Sequence, residues 1–156
     1  MKKALAIIAT TLLSASCLAY DASKPIWRQV EQLRCEKVLK VFCYVEHRPD
    51  GRGINAEFPC SYEETFPDDR KFAEFNFRNA EFSFDAGKQR LTRQLSAFNF
   101  QPVNKDFGIN TMFIGQQPVE FFRTKLGLFK VKNYYSMTTP DGFFQTTHEE
   151  YLCVEN

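Results

Sequence analysis

The stretch Ala73-Glu74-Phe75-Asn76-Phe77-Arg78-Asn79-Ala80-Glu81-Phe82-Ser83-Phe84 decides the architecture. Ala73, Phe75 and Phe77 fall on one side of an extended chain and Glu74, Asn76 and Arg78 on the other, the alternation of a half-buried antiparallel strand. Ala80, Phe82 and Phe84 repeat the pattern on the opposite parity. A strict period of two cannot keep both sets of Phe inside, so a tight turn or bulge is expected at Arg78-Asn79.

Working outward, Asp85-Ala86-Gly87-Lys88 turns the chain again, and Leu91 and Leu95 return on one face. Phe98 and Phe100 flip parity once more, which places another irregularity near Ser96-Ala97. These alternating sets absorb much of the 17 Phe in a 156-residue chain and mark it as core. Between Gln101 and Pro118 the punctuation by Pro102, Gly108, Gly115 and Pro118 suggests a loop with one short strand at Met112-Phe113-Ile114. Val119 to Phe122 and Leu126 to Val131 are two more apolar runs, and Asn133 to Thr139 and Phe143 to Val154 flank a Pro-Asp-Gly turn at 140–142 as a terminal hairpin.

On the N-terminal side, Val38 to Val45 is β-branched and aromatic, and Ile54 to Tyr62 returns after a first Pro-Asp-Gly turn at 49–51. Before it, Ser23, Pro25 and the apolar positions Ile26, Trp27, Val30 and Leu33 predict a short amphipathic helix over roughly 24–34. Strands joined by short turns, with no strand–helix alternation, exclude a parallel sheet. The expected fold is mainly β: a small antiparallel barrel or barrel-like sandwich of about eight strands, with one N-terminal helix and two disulfides.

The first residues set the compartment. Lys2 and Lys3 precede an uncharged run from Ala4 to Tyr20 with an apolar centre and small residues behind it, the layout of a secretory signal cleaved after Ala19. The domain organisation is therefore read as a signal over 1–19 and one exported β-rich domain over 20–156, periplasmic or secreted, with no stable membrane span. Lipid anchoring through Cys17 is disfavoured, because Ser14 stands where such signals usually carry Leu.

Cleavage removes Lys2 and Lys3 and no acid from totals of 20 and 19, leaving 18 basic against 19 acidic side chains. So even a balance excludes a basic nucleic-acid surface as the bulk character of the protein. Cleavage also removes Cys17 and leaves Cys35, Cys43, Cys60 and Cys153, spaced 8, 17 and 93 residues apart. That spacing lacks the close pairs of a zinc site and reads as two disulfides in an oxidising compartment. If the first hairpin centres near residues 51–52, Cys43 lies opposite Cys60, which leaves Cys35 for Cys153.

Motifs for catalysis are missing: there is no Gly-x-Ser-x-Gly, no phosphate loop, no His-Glu-x-x-His, and only two His. His148 in Thr146-Thr147-His148-Glu149-Glu150 shares a strand face with Glu150 only and is read as a solvated residue beside acids. No catalytic residue, metal site or cofactor is expected. Arg93 has the inward parity of Leu91 and Leu95 and marks the base of a possible ligand cavity. Phe143 and Phe144 cannot both face a core; with Tyr135 they are the candidate partner-binding aromatics near the last hairpin tip.

The functional expectation is a small exported binding protein acting on another protein of the envelope or exterior, in its sharper form an inhibitor or immunity-like protein. The alternative is a carrier of a lipid or other apolar small molecule in a barrel cavity.

Overall fold

A computed structural model of the chain describes residues 20–47, 54–57, 59–104, 107–124, 126–138, 140 and 143–156. The expected signal over 1–19, Cys17 and the first Pro-Asp-Gly turn lie outside these residues. Ten strands follow in order: β1 (Gln32–His47), β2 (Ile54–Glu57), β3 (Ser61–Glu63), β4 (Phe72–Asn76), β5 (Glu81–Ala86), β6 (Gln89–Asn104), β7 (Phe107–Ile114), β8 (Gln117–Arg123), β9 (Phe129–Thr138) and β10 (Phe143–Glu155). Strands β4 to β10 are each paired antiparallel with the next, β4 and β10 both pair with β1, and the result is a closed eight-stranded barrel.

The alternation of phenylalanines builds its interior as expected. Phe75 stacks on Phe82 at 4.6 Å and meets Phe121 edge-on at 4.8 Å, and Phe77 meets Phe121 at 5.5 Å. With Leu33, Met112, Val119 and Val131 they form a fully apolar core, each large side chain contributing about 1.5 to 3 kcal/mol by burial. Both parity breaks are present. Ala80 sits in the turn before β5 with φ of 54°, and Ala97 has φ of 50° where the β6–β7 register slips between Ser96 and Asn99.

The second slip carries Phe98 and Phe100 to the end of the barrel, where the N-terminal segment covers them. Phe98 is 38% exposed and packs edge-on against Trp27 at 5.4 Å, so it belongs to that lid and not to the central core. Gly108 shows how close the lid lies: a Cβ there would stand 2.5 Å from the Phe100 ring and 2.9 Å from the Ala22 carbonyl oxygen. Ile26 is completely buried, and its N–H donates to Asn110 Oδ1 at 2.7 Å. The barrel is thus plugged at the end that carries the β4–β5, β6–β7 and β8–β9 connections.

Two local expectations are corrected. The N-terminal helix is a single 3-10 turn, Ile26–Arg28, because the backbone from Gln32 onward is claimed on both sides by β4 and β10. A two-sided strand ladder overrides a weak helical propensity. The region between Gln101 and Pro118 is not a loop with one short strand, since β6 runs through Pro102 to Asn104 and β7 pairs back along it. Pro102 is tolerated because β5 partners β6 only as far as Gln94, leaving that edge without a ladder to break.

Both disulfides join the residues assigned from the sequence. Cys43 bonds Cys60 across the first hairpin, whose β1–β3 register (Lys40 with Glu63, Phe42 with Ser61) puts those two positions opposite each other. Cys35 bonds Cys153 across the β1–β10 seam, with Cα atoms 4.0 Å apart and a sequence separation of 118. Loop-closure entropy makes the second crosslink the larger contributor, about 4 to 5 kcal/mol against about 3 kcal/mol for the first. Guanidinium unfolding should therefore show the Cys35→Ser/Cys153→Ser variant losing clearly more stability than Cys43→Ser/Cys60→Ser; equal losses would contradict this ordering.

Candidate functional site

Opposite the plug, the barrel opens. Between Lys37 and Leu39 the β1–β10 register shifts by one residue, leaving Val38 unpaired in a bulge. The bulge bends β1 away from the barrel. There β1 leaves β4 and takes β3 and β2 as neighbours, so that its outer half and the outer ends of β9 and β10 stand beyond the mouth as a flap.

Beneath the flap lies a cavity of about 370 Å³. One wall is apolar, made of Phe82 and Phe84, stacked at 5.2 Å, with Ile114. The facing wall is polar and comes from three strands: Lys37 on β1, Asn133 and Tyr135 on β9, Glu149 and Tyr151 on β10. Their placement follows from strand parity. Cys35 and Cys153 point inward, so Lys37 and Tyr151, the next residues of the same parity and partners in the ladder, also point inward. Glu149 and its neighbour Asn133 complete the row.

Lys37 Nζ lies 2.7 Å from Glu149 Oε1, with side-chain exposures of 14% and 9%. Tyr151 donates to Glu149 Oε2 at 2.8 Å, and the Tyr135 hydroxyl is 3.4 Å from Oε1. The Lys37 ammonium also stands over the rings of Phe66 and Tyr151. Burial, followed by the Glu149 charge, pushes the Tyr135 hydroxyl up to about 12 and that of Tyr151 well above its ordinary value. Both phenols therefore stay protonated as donors through the neutral range.

Arg93 lines this cavity but at its rim, exposed, with its own neighbour's carbonyl (Thr92) 3.2 Å from Nη1. It pairs with Phe82 on the inner face, yet β7 ends at Ile114 before reaching it, so the side chain escapes to water past the β7–β8 turn. Tyr135 is separated from Phe143 and Phe144. The register sets Phe144 opposite Thr138 and Tyr135 opposite Thr147, so Tyr135 belongs to the cavity wall while the two phenylalanines are half-buried at the outer start of β10.

His148 faces outward. It stacks on Tyr134 at 4.8 Å, and its Nε2 lies 3.3 Å from Glu150 Oε1. Burial lowers its basicity against the opposing pull of Glu150. Glu150 in turn binds Lys130 and Lys132; burial raises its carboxyl, but the hydrogen bond and charge of Lys130 outweigh this and hold it below the usual range. Charged side chains therefore cover this part of the outer wall. No helix among the described residues is long and apolar enough to cross a membrane, and no group of three or more His, Cys, Asp and Glu among them could hold a metal ion.

Lys37, Glu149 and Asn133 were not singled out by the sequence reading. For Glu149 the signal is parity: it lies four residues before Cys153 on the same strand and so shares its inward face.

A buried ion pair is retained here at a cost in desolvation that a pair of apolar residues would avoid. Glu149→Leu alone should destabilise the fold by about 3 kcal/mol or more, because it strands Lys37 and the Tyr151 hydroxyl, and adding Lys37→Met should recover most of that loss. A double variant as unstable as the single one in denaturant unfolding would contradict this.

A raised phenol pKa ties stability to alkaline pH. The unfolded tyrosine ionises near 10 and the folded Tyr135 near 12, so the contribution of its neutral form is intact below pH 10 and lost as pH rises through 12. The stability difference between wild type and Tyr135→Phe should be constant below pH 10 and shift above it in the variant's favour; a flat difference would contradict the burial of this hydroxyl.

Compared with known protein families, with curated proteins and with solved structures, the chain matches none.

Proposed function

We propose that this chain is an exported binding protein that engages another envelope protein at the open end of its barrel, in an inhibitor-like or immunity-like role. The observation that carries this reading is the flap. Its inner face carries Phe42 and Tyr44, in edge contact at 6.0 Å. Its outer face aligns Tyr62, Val41, His148 and Tyr134 across four strands, and Tyr62 is 71% exposed. Aromatic rings flanking a recess suit a partner that inserts one side chain and rests on the rim. The two disulfides fit an oxidising compartment, periplasmic or extracellular.

A second reading has its own observation. An eight-stranded barrel is just wide enough to hold one small ligand, and this cavity falls within the usual volume of ligand sites. Its stacked Phe82 and Phe84 favour an apolar guest, as in a lipid carrier.

Capture from the native envelope with the oxidised protein separates the two. An enzyme recovered with the wild type, inhibited by it, and lost with Phe42→Ala/Tyr44→Ala supports the protein partner. Lipid recovered alone supports carriage and overturns the first reading.

A further inference from the structure

The cavity's polar wall is selective in a way that specifies the guest. The buried charge of that wall, Lys37 with Glu149, is already matched, and Arg93 stands at the exposed rim. Glu149 receives Lys37 and Tyr135 at one oxygen and Tyr151 at the other. A carboxylate or ammonium head reaching the level of Glu149 would meet no free counter-charge there and would have to break this network in a poorly solvated space.

One polar atom of that wall is left over. Asn133 is only 6% exposed, lines the cavity, and its Oδ1 has no hydrogen-bond partner among the described residues. A buried acceptor without a partner costs about 1–3 kcal/mol, so a group that donates to it is rewarded. The donor has to arrive from the cavity, because Val119 and Glu149 flank Asn133 on the neighbouring strands. A hydroxyl is suited to the task, since it donates and accepts at once and can serve either end of the amide.

We propose that the cavity binds an uncharged apolar alcohol. The hydroxyl lies innermost on Asn133 Oδ1, and the hydrocarbon body rests against Phe82, Phe84 and Ile114 toward the mouth. This rests on the cavity reading above and not on the protein partner. It also gives the buried ion pair a role, since a self-neutralised polar wall admits a neutral head and rejects charged ones.

The test is calorimetric titration of the oxidised full chain with four probes that share one hydrocarbon body: 1-octanol, methyl octyl ether, octanoate and octylammonium. Octanol is expected to bind about ten-fold more tightly than the ether, which lacks the donor, and more tightly than either ion. Asn133→Leu should bring the alcohol-to-ether ratio close to one while keeping its melting transition. The wild-type ratio stands as a test even if Asn133→Leu fails to fold. Equal binding of alcohol and ether, or tightest binding of octanoate, overturns the assigned head group and leaves apolar carriage intact. No binding by any of the four overturns both.

Discussion

The closing seam between β1 and β10 is the constraint on which everything else depends. A sheet of eight strands becomes a barrel only when its first and last strands pair, and a slip of one residue there would turn every inward side chain outward. Cys35 and Cys153 lie directly opposite in that ladder and fix the register. From this one pair the interior follows by parity. Leu33 falls into the apolar core, and Lys37, Tyr151 and Glu149 fall into the cavity. The crosslink that stabilises the fold therefore also positions the polar wall of the site.

The same strand shows how one irregularity divides the molecule into a structural end and a working end. Up to Lys37, β1 is an ordinary staved member of the barrel between β4 and β10. At Val38 the bulge releases it from β4, the loop bearing Phe66 and Lys71 fills the gap, and the Lys37 amide turns to the Lys71 carbonyl at 2.8 Å. Beyond this point the chain no longer encloses a core and builds the flap. At the other end the N-terminal segment seals the barrel through Ile26 and Asn110, so access to the interior is one-sided.

Most of the architecture was legible in the sequence because period-two alternation is a local signal. Ala73 to Phe84 displayed two strands, their facing and the turn between them, and the break near Ser96-Ala97 was visible as a change of parity. The Cys43–Cys60 pair was readable from the hairpin's symmetry. What failed was decided by tertiary contact. Ile26, Val30 and Leu33 keep helical spacing although only three residues form a helical turn, since Leu33 is buried as part of a strand. Pro102 and Gly108 look like loop punctuation, yet they pair with each other in the β6–β7 ladder, one beyond the reach of β5 and the other making room for the lid. The site was the least legible part. A Lys before an apolar run and a Glu between a His and another Glu look solvated until the seam's register brings them within 2.7 Å.

The seam's register builds an open, ligand-sized cavity whose buried ion pair is neutralised. A crystal structure of the oxidised protein, purified without detergent from the cells that produce it, tests this most directly. Elongated density is expected between Phe82 and Asn133, ending at hydrogen-bond distance from the Asn133 amide, with Lys37 and Glu149 still paired. A mouth collapsed to a solid core, or Lys37 and Glu149 separated and turned to solvent, would contradict it.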